Sequence, residues 1–423
     1  MDLKVRPSVL SGSIAVSGSK SHTIRAVVCA LCAEGRSIVR DPLESADTRA
    51  ALEAAKSFGA KVVERPGVWE IEGCGGKLKD PGKTIDMMNS GTGLRLLTGL
   101  AALQDFPVSF DGDESLRTRK MDSLLDALKN LGAKVDCPTG RAPFTIQGPL
   151  SGGFTTLDGT SSQFLSSLLF ALPLAKGDSD ISLEFLLEQP YVGITLDWLK
   201  AAGIEVAPGQ EWLTWHICGR QSYRPLDRTI PADFSTAAFP LVAGMLSGKS
   251  VEIRNLDFND PQGDKKVFEF AEKMGAVISR GKELTVNNSG VLKGVELDLN
   301  STPDALPILA VAAAFAKGTT RLVNVRQARL KETDRIAVMA KELAKLNVKV
   351  TELEDGLIIE GGNTRGGTVS SYNDHRIAMA FAVAGTALPA GDELVIRDAE
   401  CAGVSYPDFI RDFKALGADF SEI

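Results

Sequence analysis

The sequence is poor in the residues that build several familiar kinds of site. Only three histidines occur in 423 residues (His22, His216 and His375), too few for a His-rich metal centre. Six cysteines, at 29, 32, 74, 137, 218 and 401, follow no framework spacing. Cys29 and Cys32 form a CxxC inside the apolar run 26–33, where core thiols are expected rather than a redox or metal pair. No signal peptide is expected, since the first residues, Met1–Ser8, lack an apolar segment. The apolar stretches run to about fourteen residues before Gly, Pro or a polar side chain interrupts them, too short to span a bilayer. A cytoplasmic protein is therefore expected. A net charge of −7 argues against nucleic acid or an anionic membrane as the main partner. It leaves room for a small anionic substrate, because a local cluster of Lys and Arg overrides the global sign. There is no Gly-x-Ser-x-Gly elbow and no HExxH. Gly18-Ser19-Lys20-Ser21 resembles the end of a phosphate-binding P-loop, but Ser19 stands where that loop needs Gly.

What is present is a repeat. A helix, then Leu-Gly-Ala or a variant, then a short strand recurs around Gly59, Gly132, Gly203, Gly275, Asn347 and Gly417. The Gly or Asn is the residue that a left-handed helix C-terminus requires. In most copies a strand ending near Gly follows: 69–73, 144–148, 215–219 and 357–361. Each unit also carries a second helix, small and apolar on all sides, such as DALPILAVAAAFAKG at 304–318. A helix apolar all round is buried. Six units of about seventy residues, each a sheet with one buried and one half-exposed helix, predict two similar α/β domains of three units. The Pro-containing stretch 224–233 separates the third and fourth units. Residues 19–228 are read as one domain and 229–423, grouped with 1–18, as the other; periodicity alone leaves the placing of the first strand open.

The starts of the six buried helices are conspicuously polar: Ser19-Lys20-Ser21, Asn89-Ser90-Gly91-Thr92, Ser161-Ser162-Gln163, Asp233-Phe234-Ser235, Thr302-Pro303-Asp304 and Asn373-Asp374-His375-Arg376. Helix capping explains the Ser, Thr, Asp and Asn. It does not explain Lys20, Gln163, His375 or Arg376, nor Gly91, where Ala would serve a helix better. These helix starts are therefore expected to face a common cleft, their N–H groups and positive dipole ends attracting phosphate and carboxylate. Arg117, Arg119 and Lys120 form a basic cluster that is equally readable as a solvated loop. In the segment 326–335, Lys331 and Arg335 stand i,i+4 and are expected to share a helix face, flanked by Glu332 and Asp334.

GSKSHTIRA, NSGTGLRLL, DGTSSQFLSSLL, TPDALPILA, RLKETDR and NDHRIAMA, in this order from Val5 to beyond Asp408, resemble the 5-enolpyruvylshikimate-3-phosphate synthases. The resemblance implies two domains of three βαβαββ units each, with the site in the interdomain cleft. It also implies a reaction on the way to chorismate and the aromatic amino acids. Phosphoenolpyruvate joins the 5-hydroxyl of shikimate 3-phosphate through a tetrahedral intermediate, releasing phosphate, with no metal or cofactor. A monomer inhibited by glyphosate is expected. By matching positions, Lys20, Ser21, Arg25, Ser161, Ser162, Gln163, Tyr191, Asp304, Gln327 and Lys331 would meet shikimate 3-phosphate. Lys20, Asn89, Gly91, Arg119, Gln163, Arg335, His375 and Arg376 would meet phosphoenolpyruvate, Gly91 because a side chain would crowd the ligand. Asp304 would be the base toward the 5-hydroxyl and Glu332 the acid toward the vinyl carbon, with Lys20 a third catalytic group. As an acid Glu332 would need a raised pKa, which burial in a closed cleft would supply.

Three positions depart from the family pattern: Val404 where a Lys is frequent, Glu188 where a phosphate-contacting Ser is usual, and Gln327 for a frequent Asn or Ala. A carboxylate at 188 would repel phosphate, so that contact is not assigned to it. The related UDP-N-acetylglucosamine enolpyruvyl transferases usually carry a Cys in a loop near 111–121, and this chain has none there. A sliding-clamp-like ring of six α/β repeats would want a basic inner face, which the negative charge opposes. Motion is expected near 17–19 and 228–231.

Overall fold

A computed structural model describes residues 1–281, 283–288 and 290–423. It contains twelve α-helices among the described residues: α1 Lys20–Cys32, α2 Ala46–Ser57, α3 Gly91–Ala101, α4 Asp122–Asn130, α5 Ser162–Ala171, α6 Gln189–Ala201, α7 Phe234–Ser247, α8 Lys266–Lys273, α9 Leu306–Phe315, α10 Arg335–Lys345, α11 His375–Thr386 and α12 Phe409–Ala415. The odd-numbered helices are the six apolar ones. α11 is buried over its whole length and α9 over all but its last residue. The even-numbered helices are half-exposed; α4 buries Leu124, Leu125, Ala127 and Leu128 and leaves its polar face to water. None of the helices is long and apolar enough to cross a membrane.

Each half-exposed helix ends on the residue that marks the repeat. Five are Gly with φ between 78° and 106°, and the sixth, Asn347, takes φ 63° in the same place. Asn is the residue that best tolerates the left-handed region after Gly, so the substitution preserves the turn. The strand-ending glycines have a different cause, which is close approach. A Cβ at Gly73 would collide with the carbonyl oxygen of Ala30, and one at Gly361 with that of Ala313. These strands cross the last turn of the buried helix with no room for a side chain.

The chain forms two compact units, Met1–Ser17 with Ala232–Ile423, and Gly18–Pro231. Each has its own apolar core. Each repeat contributes a small sheet in which one strand pair is parallel and the rest antiparallel. In one, 227–229 runs parallel to 34–40, which pairs antiparallel with 68–74, which pairs antiparallel with 61–65. The strands Leu3–Arg6 and Leu10–Ala15 belong to the first of the two units. Leu3–Arg6 lies between 394–397 and 419–422, and Leu10–Ala15 runs parallel to 248–254.

One expectation about local structure is overturned. Lys331 and Glu332 do not share a helix with Arg335. The Asp334 side chain accepts from the Ala337 amide and so starts α10 at Arg335. Lys331 and Glu332 precede it, after a 3₁₀ turn over Arg326–Leu330.

Candidate active site

In the unit made of Met1–Ser17 and Ala232–Ile423, three carboxylates and three cations converge around Arg335. Its side chain is 1 % exposed. Its Nε donates to Asp374 Oδ2 at 2.7 Å, Nη1 to Asp304 Oδ1 at 2.9 Å and Nη2 to Glu332 Oε2 at 2.6 Å. Each arrives from a different element. Asp374 is the N-cap of α11 and also accepts from the Arg376 amide. Asp304 sits in the 3₁₀ turn Pro303–Ala305 that leads into α9. Arg376 points back across the same group, Nη2 lying 3.1 Å from Asp304 Oδ2 and donating to Ser235 Oγ at 2.9 Å. Lys331 Nζ stands 3.7 Å from Asp304 Oδ1. His375 is buried at the first position of α11.

The charges balance, and the balance sets the ionisation. Burial raises the Asp304 carboxyl, but Arg376, Lys331 and Arg335 together outweigh it and hold the group far below the ordinary carboxylate range. Arg335 is desolvated yet shifted upward, because Asp374, Glu332 and Asp304 surround it. A guanidinium meets several carboxylates at once because its five donors fan out in one plane.

In the unit Gly18–Pro231, two groups of polar side chains gather. Arg25, 1 % exposed, donates through Nε to Thr195 Oγ1 at 2.8 Å and through Nη1 and Nη2 to the carbonyls of Ser21 and Tyr191. Desolvation lowers its pKa to about 10. Thr195 passes the contact on to Ser166 Oγ at 2.8 Å, tying α1, α6 and α5 together. Lys20 is the first residue of α1 and pairs with Asp47 Oδ2 at 3.0 Å. Ser162 Oγ donates to Glu188 Oε2 at 2.9 Å. Glu188 is buried, in the left-handed region at φ 56°.

The second group links α3 to α5. Gln163 Oε1 accepts from Arg95 Nη1 at 2.6 Å, and its Nε2 donates to Thr92 Oγ1 at 3.0 Å. Arg119 Nη2 donates to Asn89 Oδ1 at 2.7 Å, and Asn89 Nδ2 to Asp113. A Cβ at Gly91 would lie 2.6 Å from Arg119 Nη1. Gly91 thus leaves room for a protein cation at the start of α3.

Capping accounts for part of the polar pattern. The side chains of Ser90, Ser161, Asp233 and Asp374 each accept from a first-turn amide. Ser19 has no such bond, which leaves the start of α1 uncapped by a side chain. Gln327 stands apart from the Arg335 group by its hydrogen bonds: Nε2 donates to the Asn300 carbonyl, while the buried Oε1 has no partner among the described residues. Sequence reasoning missed Asp374 as the partner of Arg335, Ser235 as that of Arg376, and Arg95. The signal for Arg95 was there, since an Arg inside a helix apolar on every side must find a buried partner.

Residues 5–413 match the family model of EPSP synthase (3-phosphoshikimate 1-carboxyvinyltransferase). The 3-phosphoshikimate 1-carboxyvinyltransferase of Acetivibrio thermocellus is 45 % identical over 424 residues, covering 100 % of this chain and 99 % of the relative. That of Methanothermobacter thermautotrophicus is 42 % identical over 422 residues, covering 99 % of each chain. Among solved structures, EPSP synthase from Acinetobacter baumannii superposes with a TM-score of 0.83 at 30 % identity over the whole of both chains. The match is carried along nearly the full length, through both units and all six repeats, and the chain belongs to the EPSP synthase (3-phosphoshikimate 1-carboxyvinyltransferase) family.

Proposed function

We propose that this protein transfers the enolpyruvyl group of phosphoenolpyruvate to the 5-hydroxyl of shikimate 3-phosphate and releases phosphate. The observation that carries the reading is the buried Arg335, held by Asp304, Glu332 and Asp374 beside Arg376 and Lys331. Full-length similarity to 3-phosphoshikimate 1-carboxyvinyltransferases supports it.

Without substrate the cations are neutralised by the protein's own carboxylates. Phosphoenolpyruvate brings a phosphate and a carboxylate, the two anions that Arg335 and Arg376 are shaped to hold. As these arginines turn to the substrate, Asp304 loses both of them while keeping Lys331, and Glu332 loses Arg335. Each then regains affinity for a proton at the moment it is needed. Asp304 takes the proton of the 5-hydroxyl, whose oxygen bonds to C2 of phosphoenolpyruvate, while Glu332 delivers a proton to C3. The tetrahedral adduct then expels phosphate as C3 gives a proton back, restoring the vinyl group. Lys20, Asn89, Arg119 and Gln163 serve the phosphoenolpyruvate side of this reaction, with His375 supporting it. Lys20, Ser21, Arg25, Ser161, Ser162, Gln163, Tyr191, Gln327 and Lys331 serve the shikimate side. Gln327 Oε1, which has no partner among the described residues, suits a substrate hydroxyl. All six cysteines are free, which fits work in a reducing compartment.

The deciding assay supplies phosphoenolpyruvate with either shikimate 3-phosphate or UDP-N-acetylglucosamine and follows phosphate release. Release with shikimate 3-phosphate alone is expected. Release only with the sugar nucleotide, or with neither, sinks the proposal.

A further inference from the structure

The exposed end of the strand Thr214–Ile217 carries side chains that the reaction does not use. We infer that Asp178, His216 and Cys218 form a binding site for one zinc-class divalent cation, with a fourth coordination position open to water or an added donor. One ligand atom from each of the three lies within 4.8 Å of the others. His216 Nε2 and Cys218 Sγ are 3.9 Å apart. A tetrahedral ion with bonds of ~2.3 Å to sulfur and ~2.0 Å to nitrogen places the two donors ~3.5 Å apart. A few tenths of an ångström of adjustment in exposed side chains closes the set.

The backbone and a fourth residue prepare the site. His216 and Asp180 are cross-strand partners, and His216 Nδ1 lies 2.8 Å from Asp180 Oδ1. An ionised carboxylate only accepts, so Nδ1 carries the hydrogen, and in the neutral ring Nε2 is left as the lone-pair nitrogen on the side facing Cys218. A carboxylate that orients a histidine for a metal in this way fixes the ring and raises its basicity as a ligand. His216 and Cys218 stand two residues apart, on one face of the extended chain. Gly219 then lets the chain close onto the Asp178 loop: a Cβ there would lie 2.5 Å from the Gly177 carbonyl oxygen, and the Gly219 amide donates to Asp178 Oδ1 at 3.0 Å. On binding, the Cys218 thiol gives up its proton, and the ion bonds to the thiolate, the imidazole nitrogen and the carboxylate. A mixed N/S/O set of this kind selects zinc over calcium or magnesium, which take oxygen donors alone.

The test titrates the reduced, full-length protein with Co²⁺ and reads the near-ultraviolet thiolate-to-cobalt charge-transfer band, then displaces Co²⁺ with Zn²⁺. One equivalent is expected, with the band abolished by Cys218→Ser, strongly reduced by His216→Gln, and unchanged by Cys137→Ser. Asp180→Asn, which leaves all three ligand residues in place, should weaken binding about 10- to 100-fold. Enzyme turnover should be the same in all four variants. No band with the native chain overturns the inference. So does a band that survives Cys218→Ser, or affinity that Asp180→Asn leaves untouched.

Discussion

Asp374 offers the sharpest test of how the Arg335 group is held, because it has two separable duties. Its carboxylate faces the Arg335 guanidinium through two contacts, Oδ2 at 2.7 Å and Oδ1 at 3.2 Å, and its side chain is fully buried. It also caps α11 through the Arg376 amide at 2.9 Å. Asp374→Asn removes the charge but keeps a good cap, since Asn and Asp are nearly equal there. Breaking a buried ion pair costs about 3–5 kcal/mol. The lower end applies here, because Asp304 and Glu332 remain against the guanidinium. Asp374→Ala loses the cap as well, a further ~1 kcal/mol. At ~2–4 °C per kcal/mol for a unit of this size, calorimetry should show Tm falling by ~6–12 °C for the Asn variant and a few degrees more for Ala. In both variants kcat/KM for phosphoenolpyruvate should fall, with kcat/KM for shikimate 3-phosphate moving less. An Asn variant as stable as the parent would refute the pairing, and an Ala variant no worse than Asn would refute the cap.

Other perturbations reach the remaining parts of the site. Asp304→Ala and Glu332→Ala should each lower kcat by at least ~10²-fold, the usual scale for a lost acid or base, while equilibrium dialysis still finds substrate bound; turnover near the native rate in either reassigns the role. Gly91→Ala should push Arg119 aside and raise the KM for phosphoenolpyruvate with kcat nearly kept; in the Arg119→Ala background the same change should have little further effect, and full additivity would contradict the contact. Because Gly91 is retained, glyphosate should inhibit competitively with phosphoenolpyruvate, and an inhibition constant far above the KM would count against that. Asp304 has a folded pKa below its unfolded value of about 3.9. Its stabilising contribution is therefore complete above about pH 4 and is lost as pH falls toward the folded pKa. Urea midpoints measured from pH 6 down to pH 3 should fall less steeply for Asp304→Asn than for the native chain; parallel curves would show that the carboxylate contributes no such linkage.

The repeat was legible because its marks are local. A helix apolar on every side must be buried, and the residue after a half-exposed helix must tolerate positive φ, as Asn347 does in place of Gly. The strand-ending glycines were legible as a pattern but not as a cause, since the carbonyls of Ala30 and Ala313 that they make room for lie far away in sequence. Strand partners were not legible at all. Leu3–Arg6 pairs with 394–397 and 419–422 at the opposite end of the chain, and a period along the sequence carries no information about which distant edge a strand will fill.

At the candidate site the polar residues could be read, but their pairings could not, and the pairings bear on the chemistry. Lys331, Glu332 and Arg335 look from sequence like one helix face, yet the Asp334 cap starts the helix at Arg335. That placement frees the two preceding residues to turn toward Asp304 and the Arg335 guanidinium. Had the helix begun three residues earlier, Glu332 would be a first-turn residue with its direction fixed by the helix axis. As it stands, Glu332 lies outside α10, and its direction is set by the Arg335 contact at 2.6 Å. The same logic applies at Glu188, where sequence alone suggested only repulsion of phosphate. There a buried carboxylate occupies the hydroxyl of Ser162 at 2.9 Å, so phosphate binding through Ser162 requires that bond to open first. Glu188→Ser would remove the competitor, and the expected outcome is a lower KM for shikimate 3-phosphate at unchanged kcat. A KM that rises instead would mean that Glu188 positions Ser162 rather than competing for it.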